Sequence, residues 1–549
     1  MSSSCACGMQ FSMLRRKHHC RYCGMIFCSS CASFEIEAPD FVPRAGSGRR
    51  ACAPCFRSLQ KTVEVQHLIR VFALLPIEEL GRLAVCRDWV HAVRVVRRAW
   101  RALPGRMSYT PFTSLDRAML RTNLASLGGH SRLMVQACLA LPRASLRFEG
   151  RTHSCRELGC ECSPFLGFED VFRILCGPMR MHLLRHNPDL CASLVGSLDR
   201  GALVRLIPFL LSSHTASQRR FVLDVVAPIC ARERTTAYAL YFTSRQDVKD
   251  ALWRHLHALL RRDLQQTLSL MQAIEARLAG IGTRLAAARC PFNPDVVVRD
   301  VLRVRQLSSS SRPYLVDLDT SEGVLRVLIK TEPLRQDQLA MVCGWSLQRL
   351  GVHIPLYHVF PTETGGWVEI LPGQTVYRLQ TSILNHILMD AHRTVHDIRT
   401  EYVDYLVGFA MFGYVLGLGD RHLENIMIDG TRLYHIDFSF LLGRDPKLSS
   451  AHMRLLPGMI EALGPYYDMF LDRLKAAYAS VRTHADFYYC LFTYLGCAER
   501  ARAHVRERLR PASLDEEAAL VIEHVVKHSS GDWKDRLGDL THSMFKLEY

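Results

Sequence analysis

The first 55 residues hold eight cysteines, six of them in the pairs Cys20-x-x-Cys23, Cys28-x-x-Cys31 and Cys52-x-x-Cys55, with Cys5 and Cys7 ahead of them. A two-residue gap lets both sulfurs of a knuckle turn toward one tetrahedral ion, and eight thiols fill two closed, structural Zn2+ sites. So short a segment has little apolar core, and metal binding would carry most of its folding. Scattered buried thiols, the competing reading, do not account for three pairs at one spacing.

The whole chain has 549 residues, more than one hydrophobic core organises, so several domains are expected. Lys and Arg number 69 against 53 Asp and Glu, a net charge of +16 that favours polyanionic partners. No apolar run approaches the roughly 20 residues that span a bilayer. The opening "MSSSCACGMQ" has no apolar core of a signal peptide, and a cytoplasmic protein with mostly reduced thiols is expected.

Between the cysteine pairs stand "RKHHCR", Arg16 to Arg21, and "RRAC", with Arg50 before Cys52. Together with the cysteines these elements resemble a FYVE-type zinc finger over roughly residues 4–60. The resemblance implies interleaved sites, with Cys5, Cys7, Cys28 and Cys31 on one zinc and Cys20, Cys23, Cys52 and Cys55 on the other. It also implies that Arg16, Lys17, His18, His19, Arg21 and Arg50 grip the head group of phosphatidylinositol 3-phosphate. Cationic side chains suit a phosphate, since charge-assisted hydrogen bonds are the stronger kind. Met13 and Leu14 would form the apolar tip that enters the bilayer, or else pack internally. Two departures stand out: Cys5-Ala6-Cys7 replaces the family's first Cys-x-x-Cys, and its upstream Trp-x-x-Asp element is not in this sequence. Histidine gains charge just below neutrality, so His18 and His19 predict tighter phosphoinositide binding at about pH 6 than at about pH 8. The basic residues crowd one phosphate-sized place rather than a long face, which argues against nucleic acid.

Residues 61–294 carry apolar positions three and four apart with few Gly or Pro, as in "RGALVRLIPFLLSS", and an all-α region is expected. Within it "LPIEELGRLAVCRDWVHAVR" resembles an F-box over 71–105, which would imply a ubiquitin-ligase adaptor as partner; any buried helix pair carries a similar pattern. His153, Cys155, Cys160 and Cys162 are ligand types without knuckle spacing, open to a third zinc or to free thiols.

From residue 295 to 549 strand-like alternation in "RPYLVDLDT" and "GVLRVLIK" gives way to helices, a mixed α/β pattern. The string "GYVLGLGDRHLENIMIDGTRLYHIDFSFLLGRDPK" then supplies Asp420, His422, Asn425 and Asp437: a proton-handling pair and two oxygen ligands for a divalent cation. It resembles the phosphatidylinositol 3- and 4-kinase superfamily, whose catalytic order is Asp-Arg-His. The motifs "LRQDQL" and "LGRDPK" are most similar to class III phosphatidylinositol 3-kinases.

The resemblance implies a bilobal fold, ATP and Mg2+ (or Mn2+) as cofactors, regulatory protein subunits as partners, and a peripheral place on endosomal membranes. Lys330 would contact the ATP phosphates, with Asp337 holding it. Asp420 and His422 would handle the hydroxyl proton, with Arg421 structural. Asn425 and Asp437 would bind the cation, and the backbone near Glu369 and Ile370 would read adenine. "LSSSSRP", 307–313, sits where the family's phosphate-covering loop lies. The family's Gly-Asp-Asp-Leu-Arg-Gln-Asp is one residue shorter here, as "TEPLRQD", and Ser439 stands where it has Gly. An inactive kinase-fold adaptor, a 4-kinase and a protein kinase are the competing readings. The activation segment offers only Arg444, Lys447 and Arg454 as dispersed bases, which favours unphosphorylated phosphatidylinositol as substrate. Trp533, Leu537, Leu540 and Met544 share a helical face at the carboxyl terminus, for a membrane or for packing.

Overall fold

The computed structural model describes residues 5, 7, 9–10, 18–19, 26–31, 34–35, 50–52, 68–69, 72–73, 75, 80, 87–103, 112–123, 168–177, 184, 188–212, 215–278, 280, 286–307, 312–362, 365–390, 392–445, 453–511 and 515–529. Outside them lie Met13, Leu14, Arg16, Lys17, Cys20, Arg21, Cys23, Cys55, His153, Cys155, Cys160, Cys162, Lys447, most of the serine run and the face from Trp533 to Met544. The chain divides into two compact units, Met1–Pro104 with Pro111–Leu141, and Gly105–Thr110 with Pro142–Tyr549.

The first unit opens with two short antiparallel pairs. Strand β1 (His18–His19) faces β2 (Ile26–Phe27), and β3 (Phe34–Glu35) faces β4 (Arg50–Ala51). Phe27 and the thiols Cys5, Cys28 and Cys52 are buried among these elements. Helix α1 (Arg87–Ala102) buries Ala92, Val93 and Val96 on one face and exposes Arg94 and Arg97, the amphipathic pattern of a helix packed on one side. Helix α2 (Ser114–Thr122) starts at a capping box: Thr113 Oγ1 accepts from the Asp116 amide at 3.1 Å while the Thr113 amide donates to Asp116 Oδ2 at 2.7 Å.

The second unit begins with helices. In α3 (Phe168–Cys176) every residue is buried or nearly so. Helix α4 (Arg200–Leu210) is capped by Asp199, and further helices follow to α5 (Ala258–Leu278). The helix beginning at Ala216 passes through a π-turn at Val222–Val226, where the Ala227 amide bonds the Val222 carbonyl. Pro228 accounts for it, since a proline ring clashes with the carbonyl four residues back, here Asp224 within that turn.

A six-stranded antiparallel sheet comes next, in the order β5-β6-β7-β8-β10-β9. Its strands are β5 (Ala288–Arg289), β6 (Val297–Gln306), β7 (Tyr314–Thr320), β8 (Gly323–Lys330), β9 (Val359–Pro361) and β10 (Gly366–Glu369). Both predicted strands form, and the alternation is plain in β7, where Val316, Leu318 and Thr320 point inward, whereas in β8 Val327 alone is buried. The edge strand β5 precedes residue 295, so the sheet draws its first strand from the end of the helical region.

Helix α6 (Arg335–Arg349) packs beside this sheet, and the three-stranded β11 (Gln374–Thr375), β12 (Ile426–Asp429) and β13 (Arg432–His435) lies in the helical lobe. The lobe is built around α7 (Val395–Leu416), buried from Tyr402 to Leu416 at most positions, an apolar core helix. Among the described residues no helix is long and apolar enough to cross a membrane. On α7 packs α8 (Tyr467–Arg482), and α10 (Ala498–Arg508) meets it where the Tyr414 hydroxyl donates to the Arg508 carbonyl at 3.1 Å; α9 (Ala485–Phe492) packs on α10 and α11 (Asp515–Ser529) on α8.

Helix α3 ties the lobes together. Phe168 meets Trp345 of α6 edge-on at 4.7 Å, and Phe172 meets Phe487 of α9 at 5.3 Å. Glu169 Oε1 lies 3.3 Å from Arg349 Nε, and Arg173 Nε donates to Asp486 Oδ2 at 2.7 Å. Burial favours a neutral Arg173, yet the charges of Asp486, Cys490 and Asp170 and the hydrogen bond to Asp486 together outweigh it and raise the guanidinium pKa.

Candidate active site and metal-binding cluster

Lys330 ends β8, opposite Gly366 of β10. The connection 331–334 carries the chain into α6, whose first turn holds Asp337. The buried Asp337 Oδ1 lies 4.0 Å from Lys330 Nζ, so the shortened "TEPLRQD" still lets this pair meet; Glu332 shares the ammonium at 3.6 Å. Burial pushes the Asp337 carboxyl up, Lys330 pulls it down and Asp437 adds to the rise, leaving it raised.

The catalytic loop leaves α7 through two close approaches. Gly417 (φ 58°) would place a Cβ 2.4 Å from His504 Cε1, and Gly419 one 2.0 Å from the Arg444 carbonyl oxygen. Asp420 then takes φ 50°, a left-handed conformation that aspartate tolerates only with local support. That support is present: its amide donates to Asp445 Oδ2 at 3.1 Å, and Asn425 Nδ2 donates to its carbonyl at 2.9 Å. Using Nδ2 as donor leaves Asn425 Oδ1 as the oxygen for a cation. His422 Nε2 lies 3.9 Å from Asp420 Oδ2.

Arg421 is buried and donates to backbone: Nε to Gly419 (2.8 Å), Nη1 to Ile436 (2.8 Å) and Nη2 to Asp437. Burial brings it down to about 10 against the pull of Asp437 and Asp420, so it stays charged near neutrality. It binds the catalytic loop to the segment leaving β13. The β12–β13 register, Ile426 opposite His435, adds a bond from the Ile436 amide to the Asn425 carbonyl at 3.2 Å.

Asp437, at φ 60°, stands at the exposed mouth of the site. Its Oδ1 accepts from the Ser439 amide (3.1 Å) and hydroxyl (2.6 Å). Partial burial raises this carboxyl, but the two Ser439 bonds and the charges of Lys330 and Arg421 outweigh it and hold it below its ordinary value. Gln336 Nε2, beside Asp337, donates to the Ser439 carbonyl at 3.0 Å and so joins the two lobes beside the Asp437 carboxylate.

The backbone expected to read adenine, near Glu369 and Ile370, lies at the end of β10. The Glu369 amide donates to the His358 carbonyl and the Ile370 amide to the Arg326 carbonyl, each at 2.9 Å. β10 is an interior strand between β8 and β9, so both amides are committed to the sheet and cannot serve a nucleotide without breaking it. Leu371 is the first residue beyond them. The Glu369 carboxylate accepts from the His358 amide at 2.9 Å and lies 2.7 Å from its Nδ1.

At the amino terminus Cys5, Cys7, Cys28 and Cys31 bring their sulfurs within 4.8 Å of one another. Cys7 Sγ and Cys28 Sγ are 3.8 Å apart, the edge of about 3.8 Å expected for a tetrahedron with Zn–S bonds of about 2.3 Å. The Cys28 amide donates to Cys5 Sγ at 3.3 Å, and amide bonds from Cys7 and Cys28 draw the Cys5 thiol down to about 6, toward the thiolate a metal needs. These residues fit zinc, and the Ala6 departure leaves both flanking thiols in the cluster. Of the other four cysteines Cys52 is described, and it is buried. His18 and His19 form β1, whose partner β2 runs directly into Cys28; Arg50 begins β4, two residues before Cys52.

Three contributors were not foreseen: Gln336, Asp445 and the hydroxyl of Ser439. Gln336 and Asp445 stand within recognisable motifs, but each acts on backbone, which residue type alone does not reveal.

A family model for the FYVE zinc finger matches residues 1–61, and one for the phosphatidylinositol 3- and 4-kinase matches residues 377–496. The second match spans Asp420, His422, Asn425 and Asp437. The chain is 30% identical over 230 residues to the phosphatidylinositol 3-kinase VPS34 of Arabidopsis thaliana, covering 37% of this chain and 28% of that protein. It is 27% identical over 322 residues to phosphatidylinositol 3-kinase VPS34 of Candida glabrata (50% and 36%). With the phosphatidylinositol 3-kinase catalytic subunit type 3 of Caenorhabditis elegans it shares 27% over 252 residues (40% and 28%). It thus spans about a third of the length of these curated relatives. The chain joins a FYVE zinc finger, a helical middle region and a phosphatidylinositol 3- and 4-kinase domain.

Proposed function

We propose that the protein transfers the γ-phosphoryl group of ATP to the 3-hydroxyl of phosphatidylinositol. The observation that carries this is the convergence of Lys330, Asp337, Asp420, His422, Asn425 and Asp437, with Arg421 and Gln336 fixing the loop, the carboxylate and the sheet lobe to one another. Lys330, held by Asp337, meets the phosphates as a point charge. Asp420 and His422 orient the attacking hydroxyl and receive its proton. Asn425 and Asp437 hold Mg2+ or Mn2+, which when bound neutralises charge on the phosphates. The backbone at the end of β10, from Glu369 and Ile370 to Leu371, reads adenine. The 3-position is supported by the relatives, named phosphatidylinositol 3-kinases, and by the "LRQDQL" and "LGRDPK" motifs.

The finger, in this reading, binds phosphatidylinositol 3-phosphate on endosomal membranes through Arg16, Lys17, His18, His19, Arg21 and Arg50, with Cys20, Cys23, Cys52 and Cys55 closing the second zinc site. The enzyme is then retained by its own product. The test is transfer from ATP to phosphatidylinositol vesicles with position mapping of the product. Product at the 3-position is expected; product at the 4-position overturns the assignment. Loss of retention on product-bearing vesicles after joint substitution of Arg16, Lys17, His18 and His19 is expected too, and unchanged retention sinks the feedback.

A further inference from the structure

Asp437 offers a cation fewer oxygens than a carboxylate ordinarily does. An ionised carboxylate has about four lone-pair directions, two on each oxygen. Ser439 uses both on Oδ1, through its hydroxyl at 2.6 Å and its amide at 3.1 Å. Ser439 is itself pinned, because Gln336 Nε2 holds its carbonyl at 3.0 Å from the first turn of α6. Glycine, which the resembled family has at this place, supplies the amide but no hydroxyl.

We infer that Ser439 determines which divalent cation the site accepts, by holding Oδ1 of Asp437 and leaving the carboxylate to bind through Oδ2 alone. The inference rests on the reading of Asp437 as a cation ligand. Mg2+ demands small octahedral geometry and takes single carboxylate oxygens, and Mn2+ suits the same donors. Ca2+ takes six to eight oxygens and readily uses both of one carboxylate. A carboxylate with one oxygen spoken for therefore disfavours Ca2+ more than Mg2+. Ser439→Ala keeps the amide bond that turns the carboxylate and removes only the hydroxyl that blocks Oδ1. Ser439→Thr keeps the hydroxyl.

The test reads bound metal and not turnover. Mn2+ is bound to the full chain with a non-hydrolysable ATP analogue, water-proton relaxation reports the bound fraction, and Ca2+ or Mg2+ is titrated in competition. In Ser439→Ala the Ca2+ concentration that displaces half the Mn2+ is expected to fall about fivefold, with Mg2+ displacement within about twofold of wild type. Ser439→Thr should behave as wild type. Equal Ca2+ displacement in wild type and Ser439→Ala, with the signal lost in Asp437→Ala, overturns the role of Ser439 and leaves the ligand assignment standing. A wild-type signal in Asp437→Ala overturns the assignment and this inference with it.

Discussion

The zinc finger and the kinase domain solve the same problem, holding charged side chains still, by opposite means. In the finger the buried groups that can be described are Phe27 and thiols, and four of the sulfurs stand at the spacing of metal ligands. In the kinase domain the fixed groups are buttressed by an aromatic interior that includes Phe409, Phe438, Phe470, Phe487 and Phe492. Each such side chain contributes about 1.5–3 kcal/mol on burial. One region has the ligands to take its order from a bound ion, the other takes it from its core.

That contrast can be broken from either side. The largest effect belongs to Asp437→Ala, which should lower phosphate transfer by roughly three orders of magnitude, since one preorganised electrostatic group is commonly worth 10²–10³ or more. Vesicle binding by the finger should be untouched, and an initial-rate assay beside vesicle sedimentation reads both. Cys28→Ser is the mirror image. It removes a sulfur 3.8 Å from Cys7 Sγ and the strand end beside β2, and it should cost a zinc ion by metal analysis and about tenfold or more in binding to product-bearing vesicles. Transfer to detergent-dispersed lipid should persist.

Smaller effects sharpen the picture of how the core holds the site. Arg173→Ala takes the guanidinium from Asp486 inside the α3–α9 contact, a change that typically costs about 3–5 kcal/mol. The denaturant midpoint of the kinase domain should fall while finger binding to vesicles stays. Thr113→Ala removes the hydroxyl that caps α2 and should cost about 1 kcal/mol, visible in the melting of the first unit alone.

Much of this was legible in the chain. Alternation located β7 and β8, and the Asp-Arg-His-x-x-Asn loop with Asp437 named residues that the fold does gather. The rest depends on backbone register. Nothing in "WVEIL" says that the Ile370 amide bonds Arg326, because that follows from which strands flank β10. The burial of α3 shows in its apolar residues, but its partners Trp345, Arg349 and Asp486 lie some 170 to 310 residues away in sequence. Ser439 read as a departure from glycine; that its hydroxyl holds the Asp437 carboxylate required the turn at Asp437, where φ is positive.

The most direct test of the division of labour is to strip zinc with a zinc-selective chelator in excess Mg2+ and measure phosphate transfer to detergent-dispersed phosphatidylinositol alongside binding to product-bearing vesicles. The account predicts that vesicle binding disappears and transfer stays within about twofold, because the kinase core does not depend on a metal for its fold. Loss of transfer together with zinc, or vesicle binding that survives its removal, would contradict it.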